Sequence, residues 1–197
     1  MKYILLLGFL SLAVSSVAQE EPVVVPDTAR VYRSMESALQ NPENVYKLNL
    51  SKKKLRTVPA DITRFPNLKE LDLSKNKIKE LPVQIGELQN LVSLNLSSND
   101  IVDLPPEIGK LQSLVYLGLN RNLIEYLPPG IGALANLEVL ELWDNELQAV
   151  PDEIGQLTKL RELELRGILF SDEEQTRIKG LLPNTQIYFS PSCNCLN

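Results

Sequence analysis

Residues 91–113 read LVSLNLSSNDIVDLPPEIGKLQS, and residues 114–136 read LVYLGLNRNLIEYLPPGIGALAN. This is one pattern written twice, at a spacing of 23. Working outward, Val45, Leu68, Leu91, Leu114, Leu137 and Leu160 head six such units with no insertion between them. Each full unit opens LxxLxLxxN and continues LPxxIGxLxx. A fixed period of this length is the signature of a stacked solenoid, in which each unit contacts only its neighbours. Leucines that alternate over a few residues predict a short strand with one buried face. Asn76, Asn99, Asn122 and Asn145 follow those strands. An inward-turned amide both donates and accepts, so a column of them can satisfy buried turn backbone. Proline at 59, 82, 105, 128 and 151 cannot donate to a ladder and turns the chain away from the strand side. Gly86, Gly109, Gly132 and Gly155 are expected to end a short helical turn in the left-handed conformation.

These motifs resemble the leucine-rich-repeat family over about residues 45–190, and four consecutive units carry the full match. The LPxxIG half is most similar to the branch shared by Ras-group scaffold proteins and many bacterial surface or exported proteins. The resemblance implies an α/β leucine-rich-repeat solenoid. Its curved parallel sheet would line the concave face, with short helical or irregular convex segments and helical caps. It also implies binding rather than catalysis. Ras-group members scaffold small GTPases and phosphatases in the cytosol, and bacterial exported members are surface or secreted binders.

The ends differ from the middle, as terminal repeats must. The ladder position is Lys53 in the first unit and Ile168 in the last. Ser34, Glu36, Ala38 and Leu39 predict a cap helix within 31–44, broken at Asn41-Pro42. Six repeats then occupy 45–170. Ser171 followed by Asp172, Glu173 and Glu174 opens a second helix, which ends at Pro183. Ile187 and Phe189 alternate as a closing strand, so 171–190 form the C-terminal cap. Residues 1–18 carry Lys2, an apolar run from Ile4 to about Val14, and Ser16-Val17-Ala18 at the end. That is the grammar of a signal peptide cleaved after Ala18. The chain is therefore expected to be exported to the periplasm, cell surface or medium. Residues 19–30 read as a flexible leader, with two prolines, Pro22 and Pro26, up to about Ala29.

Composition narrows the chemistry. There is no histidine, which excludes Ser-His-Asp and Cys-His nucleophiles and His-ligated zinc. Net charge is −5, so the overall basic footprint of a nucleic-acid binder is missing. Charge is uneven, however. Residues 45–79 hold ten Lys/Arg against three Asp/Glu, while 80–197 hold seven against seventeen. Lys52-Lys53-Lys54 with Arg56 reads either as solubilising charge on an end repeat or as a patch for acidic glycans or membranes. Cys193 and Cys195 form the tail 191–197 with their neighbours. A strained local disulfide and a bond to another chain both remain open. Asn49-Leu50-Ser51 and Asn95-Leu96-Ser97 match the glycosylation pattern, but both fall on predicted strands.

Non-leucine strand positions should line the concave face. Read in columns, they are small and polar until the fourth and fifth units. There Tyr116, Val139 and Trp143 gather beside Gly118, whose missing side chain is expected to leave a hollow. Arg121 is expected on the strand beside Trp143, within reach of its indole. With Glu141 and Asp144 these residues form the candidate patch, since Tyr, Trp and Arg dominate binding hot spots. The alternative is that Trp143 only covers the edge of the asparagine turns. Glu141 and Glu164 on adjacent strands could mimic a glycosidase pair. An open face gives no means of raising the pKa of either acid. The expectation is a monomeric, exported, non-enzymatic protein binder, with no cofactor, metal or nucleic acid. A glycan or cell-wall binder is the alternative, and a hydrolase the least favoured reading.

Overall fold

The computed structural model describes residues 30–190. The expected signal peptide, all of the expected leader but Arg30, and the cysteine tail lie outside the described residues. One eight-stranded sheet runs through the molecule: β1 Val31–Tyr32, β2 Lys47–Asn49, β3 Glu70–Asp72, β4 Ser93–Asn95, β5 Tyr116–Gly118, β6 Val139–Glu141, β7 Glu162–Leu165 and β8 Gln186–Phe189. Every pairing is parallel and joins strands adjacent in the chain. Repeat register puts Leu48, Leu71, Leu94, Leu117, Leu140 and Leu163 opposite one another, and all are buried.

Repeat periodicity and the closing strand account for seven of these strands. The eighth is β1, from a segment read only as a cap helix. Tyr32 pairs with Leu48 and is itself buried, so an aromatic ring closes the N-terminal end of the leucine column. No LxxLxL pattern announces that role. The expected cap helix follows as α1, Met35–Leu39, with Ser34 Oγ accepting from Ser37 N.

On the convex side each of the first five units contributes one five-residue 3-10 turn, from Ala60–Arg64 to Asp152–Gln156. Pro59, Pro82, Pro105, Pro128 and Pro151 precede them with φ between −60° and −69°, the angle that the ring enforces. The repeat glycines do not end these turns in a left-handed conformation. They lie inside the turns, and Gly86, Gly109 and Gly132 are there because neighbouring turns touch. A Cβ on Gly109 would sit 2.3 Å from Gly130 O, and one on Gly132 would sit 2.4 Å from Glu153 O. Left-handed backbone falls elsewhere, at Lys52, Lys75, Ser98, Arg121, Asp144 and Gly167, again 23 apart, and once outside that series at Lys54. Each of the series stands just before the ladder position, and in every unit after the first the following side chain turns inward.

That side chain is asparagine in four units, and all four are buried. Asn99 Nδ2 donates to Leu96 O (2.8 Å) and Leu73 O (3.1 Å), while its Oδ1 accepts from Ile78 N (3.1 Å). Asn122 and Asn145 repeat the scheme one and two coils on. Asn76 Oδ1 accepts from both Lys53 N and Leu55 N, and so serves the first coil, which lacks its own amide.

The C-terminal helix α2, Asp172–Leu181, is capped by Ser171 Oγ, which accepts from Glu174 N. Arg177 fastens it to the last coil. Its guanidinium donates to Val150 O and Asp152 and holds Glu174 at 2.7 Å, and Glu174 Oε1 accepts in turn from Val150 N. The hydrogen bonds from Arg177 hold the Glu174 carboxyl below its ordinary pKa. A depressed carboxyl stabilises the fold above its unfolded pKa and loses that contribution as pH falls through the folded value. Glu174→Gln should therefore cost about 1–2 kcal/mol near neutrality, the usual scale for a charge-assisted hydrogen bond. Urea melts should show the gap to wild type closing as pH drops below about 4.5, the carboxylate's unfolded value. A gap independent of pH would show that the clamp does not depend on the charge of Glu174.

Candidate functional site

Most strand residues flanking the buried leucines are half-exposed and form the concave surface, with Gly118 and Glu164 buried among them. It divides into two regions of different chemistry.

Toward the N-terminus lies a hollow of about 440 Å³, lined by Arg33, Lys47, Asn49, Glu70, Asp72, Ser93, Asn95 and Tyr116 together with Val31 and two leucines. Its polar groups are largely paired. Lys47 Nζ lies 2.9 Å from Glu70, and Asn49 Nδ2 donates to Asp72 Oδ2 at 2.9 Å. The concave hollow is thus on β1–β5, not at Gly118 as the sequence suggests. Gly118 is occupied from above: a Cβ there would lie 2.6 Å from Tyr116 Oη. The missing side chain lets the Tyr116 phenol fold flat over the strand and donate to Glu141 Oε2 at 2.9 Å. Burial, and then the Glu141 carboxylate, push the Tyr116 pKa well above its ordinary value, so the phenol remains a neutral donor.

Toward the C-terminus the surface carries arginines on aromatic rings. The Arg121 guanidinium lies 4.6 Å from the Trp143 ring centre and 3.5 Å from the Asp144 carboxylate. Arg121 is not on a strand. It occupies a left-handed turn position with φ of 53°, and its N–H donates to Trp143 O at 2.9 Å. That turn carries the guanidinium over the indole of the next coil. A second pair stands beside it, with Arg166 lying 5.5 Å from the Tyr188 ring centre and bound through Nε to Glu164 at 2.9 Å. Trp143 is half-buried, and Arg121 and Asp144 are exposed.

Sequence columns bring Tyr116, Gly118, Val139 and Glu141 together on β5 and β6, and Trp143 and Asp144 on the turn that follows. The candidate patch leaves out Arg166, although it shares the column of Trp143, and Tyr188. Tyr188 pairs with Glu164, 24 residues earlier rather than 23, because the cap holds one extra residue. The alternation that marks Ile187 and Phe189 as inward is the one signal that turns Tyr188 outward.

The two carboxylates that resembled a catalytic pair are both engaged. Glu141 accepts from Tyr116 and from Asn120 Nδ2 at 2.6 Å, and buried Glu164 is bracketed by Arg166. Among the described residues no cluster of three His, Cys, Asp or Glu could hold a metal ion, and no helix is long and apolar enough to cross a membrane.

Comparison with known proteins agrees with this architecture. A family model described as a leucine-rich repeat region matches residues 41–183. Among solved structures, a leucine-rich-repeat protein of Leptospira interrogans is 34% identical over 83% of this chain and 47% of its own, with a TM-score of 0.63. The leucine-rich-repeat ectodomain of a membrane receptor kinase from Arabidopsis thaliana was solved in complex with Casparian strip integrity factor 2. It is 30% identical over 81% of this chain and 20% of its own, with a TM-score of 0.64. An internalin from Listeria monocytogenes shares the fold at 18% identity, with a TM-score of 0.62 over 81% of this chain and 52% of its own. The chain thus spans about half the length of the two bacterial structures and a fifth of the plant ectodomain. No curated protein sequence matches it.

Proposed function

Because this chain belongs to the leucine-rich-repeat family, we propose that it is an exported, non-enzymatic module that binds a protein partner on its concave face. The observation that carries the reading is the pair of arginine–aromatic stacks, Arg121 on Trp143 and Arg166 on Tyr188, side by side on a face that none of the described elements covers. A stacked, ion-paired guanidinium loses little conformational entropy on binding and offers both a flat surface and spare donors. Tyr116, Gly118, Val139, Glu141 and Asp144 complete the patch. The plant ectodomain, which holds a bound factor, supports a protein ligand for the same architecture. The signal-peptide grammar of residues 1–18 supports export.

Affinity capture with residues 19–197 as bait tests this. Trp143→Ala should weaken the captured partner at least about 30-fold, the scale of a hot-spot anchor worth about 2 kcal/mol. Ser97→Ala, two coils earlier in the same column, should leave affinity unchanged. A large loss of stability with unaltered affinity would make Trp143 a packing residue and move the partner elsewhere.

The N-terminal hollow favours a second reading, a glycan or cell-wall ligand. Its lining of amides, carboxylates and a tyrosine is the kind of surface that hydrogen-bonds sugar hydroxyls. Glycan-array binding that is abolished by Asn95→Ala and indifferent to Trp143→Ala would favour it over a protein partner.

A further inference from the structure

Beyond each ladder position the chain runs down one flank of the solenoid, and successive coils are hydrogen-bonded there. Lys77 N donates to Leu55 O, Asp100 N to Ile78 O, Leu123 N to Ile101 O and Glu146 N to Ile124 O. The flank changes sign along its length. Residues 52–57 and 75–80, on the first two coils, carry Lys52, Lys53, Lys54, Arg56, Lys75, Lys77 and Lys79 against Glu80 alone. All seven cations are exposed, and none forms an ion pair among the described residues. The 23-residue register sets Lys52 beside Lys75, Lys54 beside Lys77 and Arg56 beside Lys79, on coils about one strand spacing apart, ~5 Å. From the third coil onward acids take over. Residues 98–103, 121–126 and 144–149 carry Asp100, Asp103, Glu125, Asp144 and Glu146, and their one cation, Arg121, lies 3.5 Å from Asp144.

Unpaired cations on neighbouring coils repel one another. Solubility alone would be served as well by mixed charge, which the later coils show. Lys54 adds a second cost, because its φ of 59° falls outside the repeating left-handed series. Lysine has no short polar side chain to offset that conformation, as asparagine has. Arg56, Lys77 and Lys79 also share a shallow hollow of about 350 Å³ with Asp100. Guanidinium and ammonium groups only donate and an ionised carboxylate only accepts. Together they suit a ligand that offers anionic groups and hydroxyls side by side.

We infer that this strip binds a strand of acidic polysaccharide, with its sulfate or carboxylate groups on the lysines and Arg56 and a sugar hydroxyl on Asp100. The width of the strip favours a single strand, since two coils span only ~10 Å. An anionic bilayer laid on the same flank would also meet Asp103, Glu125 and Glu146 and be repelled there. Single-stranded nucleic acid is held by aromatic rings that stack its bases, and residues 52–57 and 75–80 contain none. The strip shares no residue with the concave hollow or with the arginine–aromatic patch. The inference is therefore independent of both readings above.

Isothermal titration of the full chain with heparin, a sulfated polysaccharide, tests this. The expected result is binding whose Kd rises at least about tenfold between about 50 and about 500 mM salt, because exposed charges are screened. Arg56→Gln/Lys77→Gln/Lys79→Gln should weaken heparin at least about tenfold at the lower salt, with wild-type circular dichroism. Lys110→Gln/Lys159→Gln/Arg161→Gln removes the same charge from exposed positions on later coils. That control should change Kd less than about twofold, since its sites lie beyond a Debye length from the strip. No heparin binding at low salt would overturn the inference. Equal weakening by both triple variants would do so too, by reducing the effect to net charge. Loss of heparin binding in Asn95→Ala would move the site to the concave hollow and overturn it as well. Phosphatidylserine vesicles or a DNA duplex bound more tightly than heparin, and released by the first triple variant, would assign the strip to a membrane or a nucleic acid instead.

Discussion

Asn99→Leu is expected to destabilise the fold by about 3 kcal/mol. The ladder geometry says where that loss arises. Leu73 O and Leu96 O each accept from two ladder amides, so without Asn99 they retain Asn76 and Asn122 respectively. Ile78 N–H has Asn99 Oδ1 alone and is left buried without a partner. An orphaned buried donor costs about 1–3 kcal/mol. A branched apolar side chain forced into a tight turn adds about 1–3 kcal/mol of overpacking. Lys53→Leu, at the same position of the first coil, should cost under ~0.5 kcal/mol, because that side chain is exposed and supplies no turn bond. Urea denaturation of the two variants measures the difference. Equal midpoints would mean that water satisfies the turns and the asparagines are dispensable.

Gly109→Ala is expected to be about as damaging, and for a reason that has nothing to do with φ. Its new Cβ would lie 2.3 Å from a backbone carbonyl, Gly130 O, and 3.3 Å from Ala133 Cβ. Backbone cannot step aside as a long side chain can, so adjacent convex turns must separate. A cost of about 2–4 kcal/mol is the upper range of core overpacking. The same substitution at Gly155 should be much milder, since Leu181 O is 3.3 Å away and belongs to the cap helix. At Gly180, where nothing lies within 4 Å, alanine should stabilise α2 by about 0.5–1 kcal/mol through helix propensity. A melting series over Gly109, Gly155 and Gly180 should therefore change sign along the chain. Uniform destabilisation would point to a conformational requirement for glycine instead.

These two cases also show what was legible. The asparagine column could be read directly, because its spacing and its amide chemistry lead to one arrangement. The glycine column could be seen but was assigned the wrong cause. A glycine after a helical turn has two physical uses, left-handed backbone and close approach. Only the separation between neighbouring turns tells them apart. The left-handed positions went unread because five different residue types, Lys, Ser, Arg, Asp and Gly, occupy them. Where the inward asparagine and the stacked coils force the reversal, side-chain identity carries no signal.

At the concave site the division is similar. Columns at 23-residue spacing put Tyr116, Val139, Glu141 and Trp143 on one surface. They could not show that Tyr116 would lie across Gly118 to reach Glu141, since that contact joins residues 25 apart on neighbouring coils. Nor could they move Arg121 out of the strand.

What the sequence determined by itself was the solenoid, its register and its buried face. In a nearest-neighbour stack every long-range contact repeats a local pattern one period on, so the period is enough. What the tertiary structure decided was everything that breaks the period. Tyr32 closes the core, the cap's extra residue turns Tyr188 into the concave face, and Tyr116 fills one hollow while another stands open near Lys47. Those outcomes depend on which rotamer or register best fills space between particular coils, and packing of that kind has no periodic signature to read.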